Sequence, residues 1–182
     1  MGTEVQGESF LMAQYIKKYS IEPELFQFMR EEVLDLIEEV KSKYDCSFSS
    51  MTHSDYLIKH NNRLPIYSGI VKSTVQPFLD DYARDWCCSE TRVNEMWFCQ
   101  YEDGARFNWH THEGSNLSAV LHLFGKKEYS TQIMGSTITM QEGDFVVFPA
   151  MLPHRGPEVF CGNKKYSIGM NLDIFGSTLN DK

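Results

Sequence analysis

The chain of 182 residues carries a formal net charge of −8 at pH 7, and 42% of its residues are hydrophobic and 13% aromatic. This composition excludes a disordered chain, and the length fits one domain that buries a core around a small ligand. The acidic charge argues against nucleic-acid and anionic-membrane partners.

The N-terminal region is predicted to be an arm followed by a helix. Residues 1–20 show no clear periodicity and are expected to form an arm or an edge strand. They resemble neither a signal peptide nor a myristoylation site, and no apolar run approaches a membrane span, so a cytoplasmic protein is expected. Apolar residues recur at helical spacing over 23–43, with Pro23 in the first turn and glutamates on the opposite face. An amphipathic helix is therefore predicted there.

Polar residues dominate the segment before a second predicted helix. Clusters of Ser, His and Asn over 45–72 indicate loops, which can serve as a lid, and His53 and His60 within them are predicted to be surface residues. A helix is predicted at 74–86, with Pro77 in its first turn, where the missing backbone N–H is tolerated.

From residue 93 onward the sequence pattern is typical of a β protein. Short runs of aromatic and β-branched residues alternate with glycines at nearly ten-residue intervals, a spacing typical of a sandwich or barrel. We predict a mainly β fold with N-terminal helices, in which 1–92 form the arm and supporting helices and 93–176 a jelly-roll core without a second domain. The predicted strands are 93–101, 107–112, 117–124, 128–133, 137–140, 144–149 and 165–175.

Five cysteines form an odd set without the CxxC spacing of many metal and redox sites. In a chain without a secretory signal they are interpreted as free, buried thiols in a reducing compartment. Two of them are adjacent, and the end of a buried helix explains that pair better than redox or metal chemistry. The set is Cys46, Cys87, Cys88, Cys99 and Cys161.

Three histidines form the sequence pattern that is most informative about chemistry. His110 and His112 lie two apart, and such neighbours on a β-strand point to the same face. His154 follows a second apolar strand that ends in a proline-rich turn. Neutral imidazole is the commonest biological metal ligand, and three converging histidines leave coordination positions open, as a catalytic metal requires. The pattern indicates a mononuclear metalloenzyme.

The segment that leads to the third histidine strengthens this interpretation. An HxH pair alone is more often a surface or core feature than a metal site. Here Gly143-Asp144-x4-Pro149-x4-His154 matches the second half of a jelly-roll metal site, in which a glycine turn starts a buried strand and a proline ends it before the ligand. Both halves lie in the part of the chain that is predicted to be a jelly-roll.

Together these motifs resemble the 2-oxoglutarate- and Fe(II)-dependent oxygenases, in particular small prolyl-hydroxylase-like members. The resemblance covers 93–175 through the stretches 107–123, 143–154 and 165–171. It implies a double-stranded β-helix, related to the cupin fold, whose rim binds Fe(II), with 2-oxoglutarate as cosubstrate and O2 as oxidant. The implied reaction hydroxylates a C–H bond of the substrate and releases succinate and CO2.

The resemblance makes His110 the first iron ligand and His154 the distal one. His112 stands where the family usually has a carboxylate, so an all-histidine triad is expected to bind Fe(II) more weakly and less selectively. Glu113 is adjacent, but strand alternation points it away from His110, and it ranks behind His112. A site that uses only His112 and His154 is a third alternative.

The resemblance also implies a site for 2-oxoglutarate. Lys165 occupies the place of the basic residue that pairs with the distal carboxylate, which a lysine holds as a point charge. Ser167 shares the strand face of Lys165 and can donate its hydroxyl to the same carboxylate. His122 either donates a hydrogen bond there or is a satisfied core histidine.

Four further residues are candidates for the pocket. Tyr101 and Trp97 alternate along one predicted strand, although aromatic residues in such places are more often plain core. Arg155 directly follows the distal ligand and can reach the substrate or cosubstrate. Asn171 matches the asparagine of the closing strand, without a role that follows from spacing.

The predicted function is an Fe(II)- and 2-oxoglutarate-dependent dioxygenase that acts on a peptidyl side chain or a small metabolite. Two alternatives stay open: a cupin-type three-histidine metalloenzyme that needs no 2-oxoglutarate, and a non-enzymatic jelly-roll binding module. Succinate formation from added 2-oxoglutarate discriminates among the three. The sequence identifies neither the substrate nor the oligomeric state.

Overall fold

The computed structural model describes residues 15–58, 60 and 64–176. Two α-helices precede or interrupt a set of nine strands and one short 3-10 helix in this part of the chain. In chain order the elements are β1 (Lys17–Ser20), α1 (Pro23–Lys43), β2 (His53–Ser54), α2 (Ser68–Asp85), β3 (Glu90–Tyr101), β4 (Phe107–His110), β5 (Leu117–Phe124), the 3-10 helix (Lys127–Tyr129), β6 (Gln132–Ile133), β7 (Asp144–Pro149), β8 (His154–Gly156) and β9 (Lys165–Phe175).

The strands form two antiparallel sheets. The larger sheet has six strands in the order β1-β7-β5-β9-β3-β2, and the smaller has three in the order β4-β8-β6. The predicted mainly β fold with N-terminal helices is thereby confirmed. β1 is an edge strand, as expected for the end of the N-terminal arm, whereas residues 1–14 of that arm lie outside the described residues.

Helix α1 has the predicted bounds, and the physical reasons are local. The Glu22 carboxylate accepts hydrogen bonds from the backbone N–H groups of Glu24 and Leu25. Pro23 occupies the first turn, where a backbone N–H would have no partner within the helix, so the proline loses no hydrogen bond. One apolar face packs on the larger sheet in a single core cluster. The buried residues of this face are Phe26, Met29, Val33, Ile37 and Val40.

Helix α2 begins at Ser68, well before the predicted position 74, so the predicted loop region ends earlier than 72. Pro77 consequently lies inside the helix and not in its first turn. Val71 and Val75 are fully buried two turns and one turn before Leu79, respectively. Their packing in the core outweighs the cost of a proline in the helix interior.

Two of the predicted strands are wrong. The segment 128–133 forms a 3-10 helix and only a two-residue strand, and 137–140 forms no strand. Ile133 and Met140 are nevertheless buried in a second core cluster beside Phe148. The apolar residues there reflect core packing without strand pairing. Three of the other predicted strands, β5, β7 and β9, have the predicted bounds, whereas β3 begins earlier, at Glu90, and β4 ends earlier, at His110.

The five cysteines differ in environment, which corrects the expectation that all of them are buried. Cys46 and Cys99 are buried, Cys88 is half-buried, and Cys87 and Cys161 are exposed. Cys87 follows the end of α2 with a left-handed backbone conformation, so the end of a helix does explain the adjacent pair, but this end lies at the surface. Neither described helix is long and apolar enough to cross a membrane.

Candidate metal centre

The pairing of two short strands brings His110 and His154 together. β4 and β8 run antiparallel, and His110 is the direct partner of His154 across the two strands. His110 is the last residue of β4, and His154 is the first residue of β8, directly after Pro153. The two rings therefore meet at one rim of the smaller sheet, with centroids 4.2 Å apart.

His112 reaches the same place by a route different from the one predicted. β4 ends at His110, so strand alternation does not orient His112. Its backbone N–H donates a 3.0 Å hydrogen bond to the carbonyl of Ala150, and its ring stacks on Trp97 at 5.5 Å with an interplanar angle of 24°. These contacts hold the ring 5.0 Å from both other imidazoles.

The three imidazoles can hold one metal ion. Each offers a ligand nitrogen, and these atoms lie within 4.8 Å of one another. In the described part of the chain no other group of three or more His, Cys, Asp or Glu side chains is arranged in this way. Glu113, the alternative ligand, is exposed and lies outside the cluster. Three ligands on one side leave the remaining positions of a metal ion open, as a catalytic site requires.

Hydrogen bonds set the tautomers of two of these histidines. The Nδ1–H of His110 donates to the carbonyl of Asn108 at 2.8 Å, and the Nδ1–H of His154 donates to the carbonyl of Leu152 at 3.1 Å. Because a carbonyl only accepts, Nδ1 carries the proton in both rings and Nε2 keeps its lone pair for a metal.

Burial keeps the three rings neutral. Desolvation lowers the pKa of His154 to about 3 and that of His112 to about 4, with repulsion from neighbouring histidines adding to both shifts. Desolvation also lowers the pKa of His110. A neutral imidazole is the form that ligates metals, so the site needs no proton release before binding at neutral pH.

We therefore expect the affinity for Mn(II) to fall less between about pH 8 and about pH 5.5 than it would at three histidines with ordinary pKa values. Because the pKa values of these histidines are lowered, protons compete with the metal only at a pH below the ordinary histidine pKa of about 6.5. Isothermal titration with Mn(II) at three pH values measures this. A steep loss of affinity as the pH falls through 6.5 would show that the rings are accessible to protons and contradict the expectation.

The histidines line a cavity of about 430 Å³. Five of the predicted site residues line it with them, namely Trp97, Tyr101, Arg155, Ser167 and Asn171. Sequence reasoning missed several others, among them Tyr56, Glu95, Ser118 and Thr131. Trp97 lies against Gly169, where a Cβ atom would meet the indole ring at 2.6 Å, so only glycine permits this position of the ring.

Lys165 is fully buried against two residues of the cavity wall. Its Nζ lies 3.4 Å from the Oγ1 of Thr131 and 4.8 Å from the centre of the Tyr101 ring. Among the described residues no carboxylate forms an ion pair with it, and burial lowers its pKa to about 8. A buried ammonium without an anionic partner is costly, because the charge has lost its hydration. An anion bound beside Lys165 would offset this cost.

Ser167 and His122 face each other across neighbouring strands, but their exposures to the cavity differ. Ser167 lines the cavity, whereas His122 is fully buried outside its lining. The Nε2 of His122 bonds to the carbonyl of Gly125 at 3.0 Å, and desolvation lowers its pKa to about 4. Nε2 therefore carries the proton, and the buried Nδ1, which has no hydrogen-bond partner among the described residues, can accept but not donate. This tautomer does not fit the predicted donor role toward a carboxylate.

The remaining predicted pocket residues are held in place by contacts of their own. Asn171 donates from Nδ2 to the Oε2 of Glu95 at 2.6 Å. Arg155 donates from Nε to the Oε1 of Gln132 at 2.8 Å, and its guanidinium lies over the ring of Trp109 at 4.8 Å. Both side chains are thereby oriented at the cavity wall.

No protein-family model and no curated protein matches this sequence. Solved structures do match its fold. EctD from S. alaskensis, with 2-oxoglutarate and 5-hydroxyectoine, has a TM-score of 0.66 at 11% identity, over 94% of this chain and 76% of that one. A prolyl hydroxylase from Trichoplax adhaerens, in complex with a hypoxia inducible factor peptide fragment, has a TM-score of 0.61 at 11% identity, over 96% and 93%.

A third match is HygX from Streptomyces hygroscopicus with nickel and 2-oxoglutarate bound, which has a TM-score of 0.59 at 12% identity, over 94% of this chain and 86% of that one. Many of the matching structures are 2-oxoglutarate/Fe(II) oxygenases. The resemblance that the motifs indicated is therefore confirmed at the level of the fold.

Proposed function

We propose that this chain is an Fe(II)- and 2-oxoglutarate-dependent dioxygenase with a double-stranded β-helix core. The observation that carries the proposal is the combination of three neutral imidazoles that can hold a metal with a buried lysine, Lys165, directly behind Thr131 and Tyr101 of the same cavity wall, where no described carboxylate pairs with it. A metal site alone fits several enzyme classes. A separate, desolvated cation fits a cosubstrate whose far end is an anion.

The donor set fits Fe(II) held by His110, His112 and His154, since imidazole suits iron and two of the tautomers are fixed by backbone carbonyls. When bound, Fe(II) supplies the oxidative chemistry by which substrate, 2-oxoglutarate and O2 become hydroxylated product, succinate and CO2. An all-histidine triad contributes no negative charge, so we expect its hold on Fe(II) to be weaker than that of a triad with a carboxylate.

The protein's own part is binding and orientation. Lys165 would pair with the C5 carboxylate of 2-oxoglutarate, and the hydroxyl groups of Thr131 and Ser167 would donate to the same group. The ring of Tyr101 covers the ammonium and keeps water from it. In such a dry site the ion pair is much stronger than at the surface.

The substrate class stays broad in this proposal. Among the similar structures one contains a peptide fragment and another 5-hydroxyectoine, so a peptidyl side chain and a small metabolite are both included. We also propose a single domain with 93–176 as the catalytic core, and a cytoplasmic location.

All-nitrogen ligation also favours a cupin-type metalloenzyme that uses no 2-oxoglutarate. Such an enzyme gives no reason for the unpaired Lys165, and for this reason the oxygenase ranks first.

Succinate formation tests the proposed function. The purified chain, loaded with Fe(II) and given 2-oxoglutarate and O2, is expected to release succinate above the level of a protein-free control, even without a substrate. His154→Ala should reduce the signal to that control. Absence of succinate together with absence of 2-oxoglutarate binding would favour the cupin alternative.

A further inference from the structure

Glu95 places a carboxylate in the wall of the cavity, where neither the metal ligands nor the proposed 2-oxoglutarate site uses it. We propose that Glu95 binds an ammonium or guanidinium group of the substrate, so that the enzyme acts on a cationic substrate. This inference rests on the proposed function and adds the chemical class of the substrate.

A β-bulge aims this side chain at the cavity. The pairing of β3 with β9 shifts register between Val93, opposite Leu172, and Glu95, opposite Asn171. Val93 belongs to the main core cluster, so regular alternation would turn Glu95 to that core as well. Beyond the bulge Glu95, Trp97, Cys99 and Tyr101 all line the cavity. The extra residue therefore moves a carboxylate from the core face to the cavity face, as bulges beside active sites do.

A hydrogen-bond network positions the carboxylate but does not neutralise it. Asn171, which is buried, donates to Oε2 of Glu95 at 2.6 Å and accepts at Oδ1 from the hydroxyl of Ser118 at 3.4 Å. In the described part of the chain Oε1 of Glu95 accepts no hydrogen bond, and no lysine or arginine pairs with this residue. One oxygen is held and the other is available to a ligand.

Two aromatic rings complete a site for an organic cation. Tyr56 and Trp97 line the cavity together with Glu95 and meet edge to face, with centroids 5.1 Å apart. The faces of indole and phenol rings attract ammonium and guanidinium groups. Trp97 also stacks on His112, so a cation held here has its carbon chain beside the metal-binding histidines.

The charged residues of the cavity lining also favour a cationic substrate. Its lining contains the carboxylates of Glu95 and Glu113 and one cation, Arg155, which is already engaged by Gln132 and Trp109. The buried Lys165 is assigned to the cosubstrate. The part of the cavity around Glu95 is therefore negative and would repel a substrate whose nearest group is a carboxylate.

The proposal is tested with probes that share one capped backbone, two with a cationic side chain and one with an uncharged side chain. Protein loaded with Mn(II) and 2-oxoglutarate is titrated calorimetrically with the Nα-acetyl methylamides of L-lysine, L-arginine and L-norleucine. We expect at least one cationic probe to bind about tenfold or more tightly than the norleucine probe. In Glu95→Gln that preference should disappear, because the variant keeps the hydrogen bond from Asn171 and loses the charge.

Glu90→Gln is the matched control, since Glu90 is an exposed residue at the far end of the same strand. It should keep the preference for the cationic probe. Glu95→Gln should bind Mn(II) and 2-oxoglutarate as the wild type does; a loss of Mn(II) affinity would show that Glu95 acts on the metal and overturn the proposal. Equal binding of all probes by the wild type would overturn it too.

The outcome can be separated from a failure of the proposed function. If the wild type does not bind 2-oxoglutarate, the oxygenase assignment fails, whereas the charge preference is still scored on protein loaded with Mn(II) alone.

Discussion

His154→Ala and His110→Ala are each expected to abolish metal binding, measured by anaerobic titration with Fe(II) or by calorimetry with Mn(II). The wild type should bind one ion per chain. Loss of a partner that merely orients a ligand already costs about 10–100-fold in metal affinity, and loss of the ligand costs more. The group found in the described part of the chain contains only these three side chains, so it offers no further side chain to replace a lost ligand.

His53→Ala serves as the control, since this histidine lies on β2, paired with Gln100 and outside the cluster. Its metal binding should equal that of the wild type. Retained binding in both His110→Ala and His154→Ala would remove the triad as the metal site.

The position of His112 allows a sharper experiment. If it fills the place where related enzymes have a carboxylate, His112→Asp should keep or improve the affinity for Fe(II), because a negative ligand is restored. Glu113→Ala should leave that affinity almost unchanged, since Glu113 is exposed and outside the cluster. The opposite ranking of the two variants would reassign the third ligand.

Elements governed by local signals were predictable from the sequence. Helix α1 has a capping carboxylate, a proline in its first turn and an unbroken apolar face, and all three agree. Helix α2 begins earlier than predicted because its first turns are decided by burial of Val71 and Val75, which is a tertiary effect. The segment 137–140 looked like a strand for the same reason: burial of Met140 leaves the same sequence pattern as pairing does.

The candidate site divides in a similar way. The three histidines could be predicted because their spacing in the sequence identifies the motif even though β4 ends before His112. Thr131 and Glu95 were missed. Thr131 reaches Lys165 from a distant segment, and Glu95 depends on a bulge that spacing does not reveal. Alternation counted from Val93 places Glu95 on the core face, whereas alternation counted back from Trp97 and Tyr101 places it on the cavity face, and the bulge decides between them.

Lys165→Met is expected to weaken 2-oxoglutarate binding by about 30-fold or more while Mn(II) binding stays at the wild-type level. Truncating one partner of a buried charge pair costs about 2–5 kcal/mol, at about 1.4 kcal/mol per decade of affinity. Calorimetric titration of Mn(II)-loaded protein with 2-oxoglutarate measures it. Lys164→Met is the matched control, because Lys164 is exposed, pairs with Glu102 at the surface and should not affect the cosubstrate.

The same substitution should stabilise the protein in the absence of 2-oxoglutarate. Burial lowers the pKa of Lys165 from 10.5 to about 8, so keeping this side chain charged at neutral pH costs the fold roughly 3 kcal/mol. Methionine has a similar length and no charge to desolvate. We therefore expect Lys165→Met to melt at a higher temperature than the wild type at pH 7, whereas a lysine kept for structural reasons would give the opposite sign.

The pH dependence of the stability identifies the cause of the higher melting temperature of Lys165→Met. Between about pH 8 and the ordinary lysine pKa of about 10.4 the unfolded wild type binds the proton that the folded protein has released, so its stability rises with pH. Lys165→Met lacks this rise, and the difference in melting temperature should narrow as the pH increases through that range. Saturating 2-oxoglutarate should narrow the difference in melting temperature at pH 7, because an affinity about 30-fold higher stabilises the wild type by about 2 kcal/mol more than the variant. A variant that is less stable than the wild type at pH 7 and binds 2-oxoglutarate normally would show that Lys165 belongs to the core and not to the cosubstrate site.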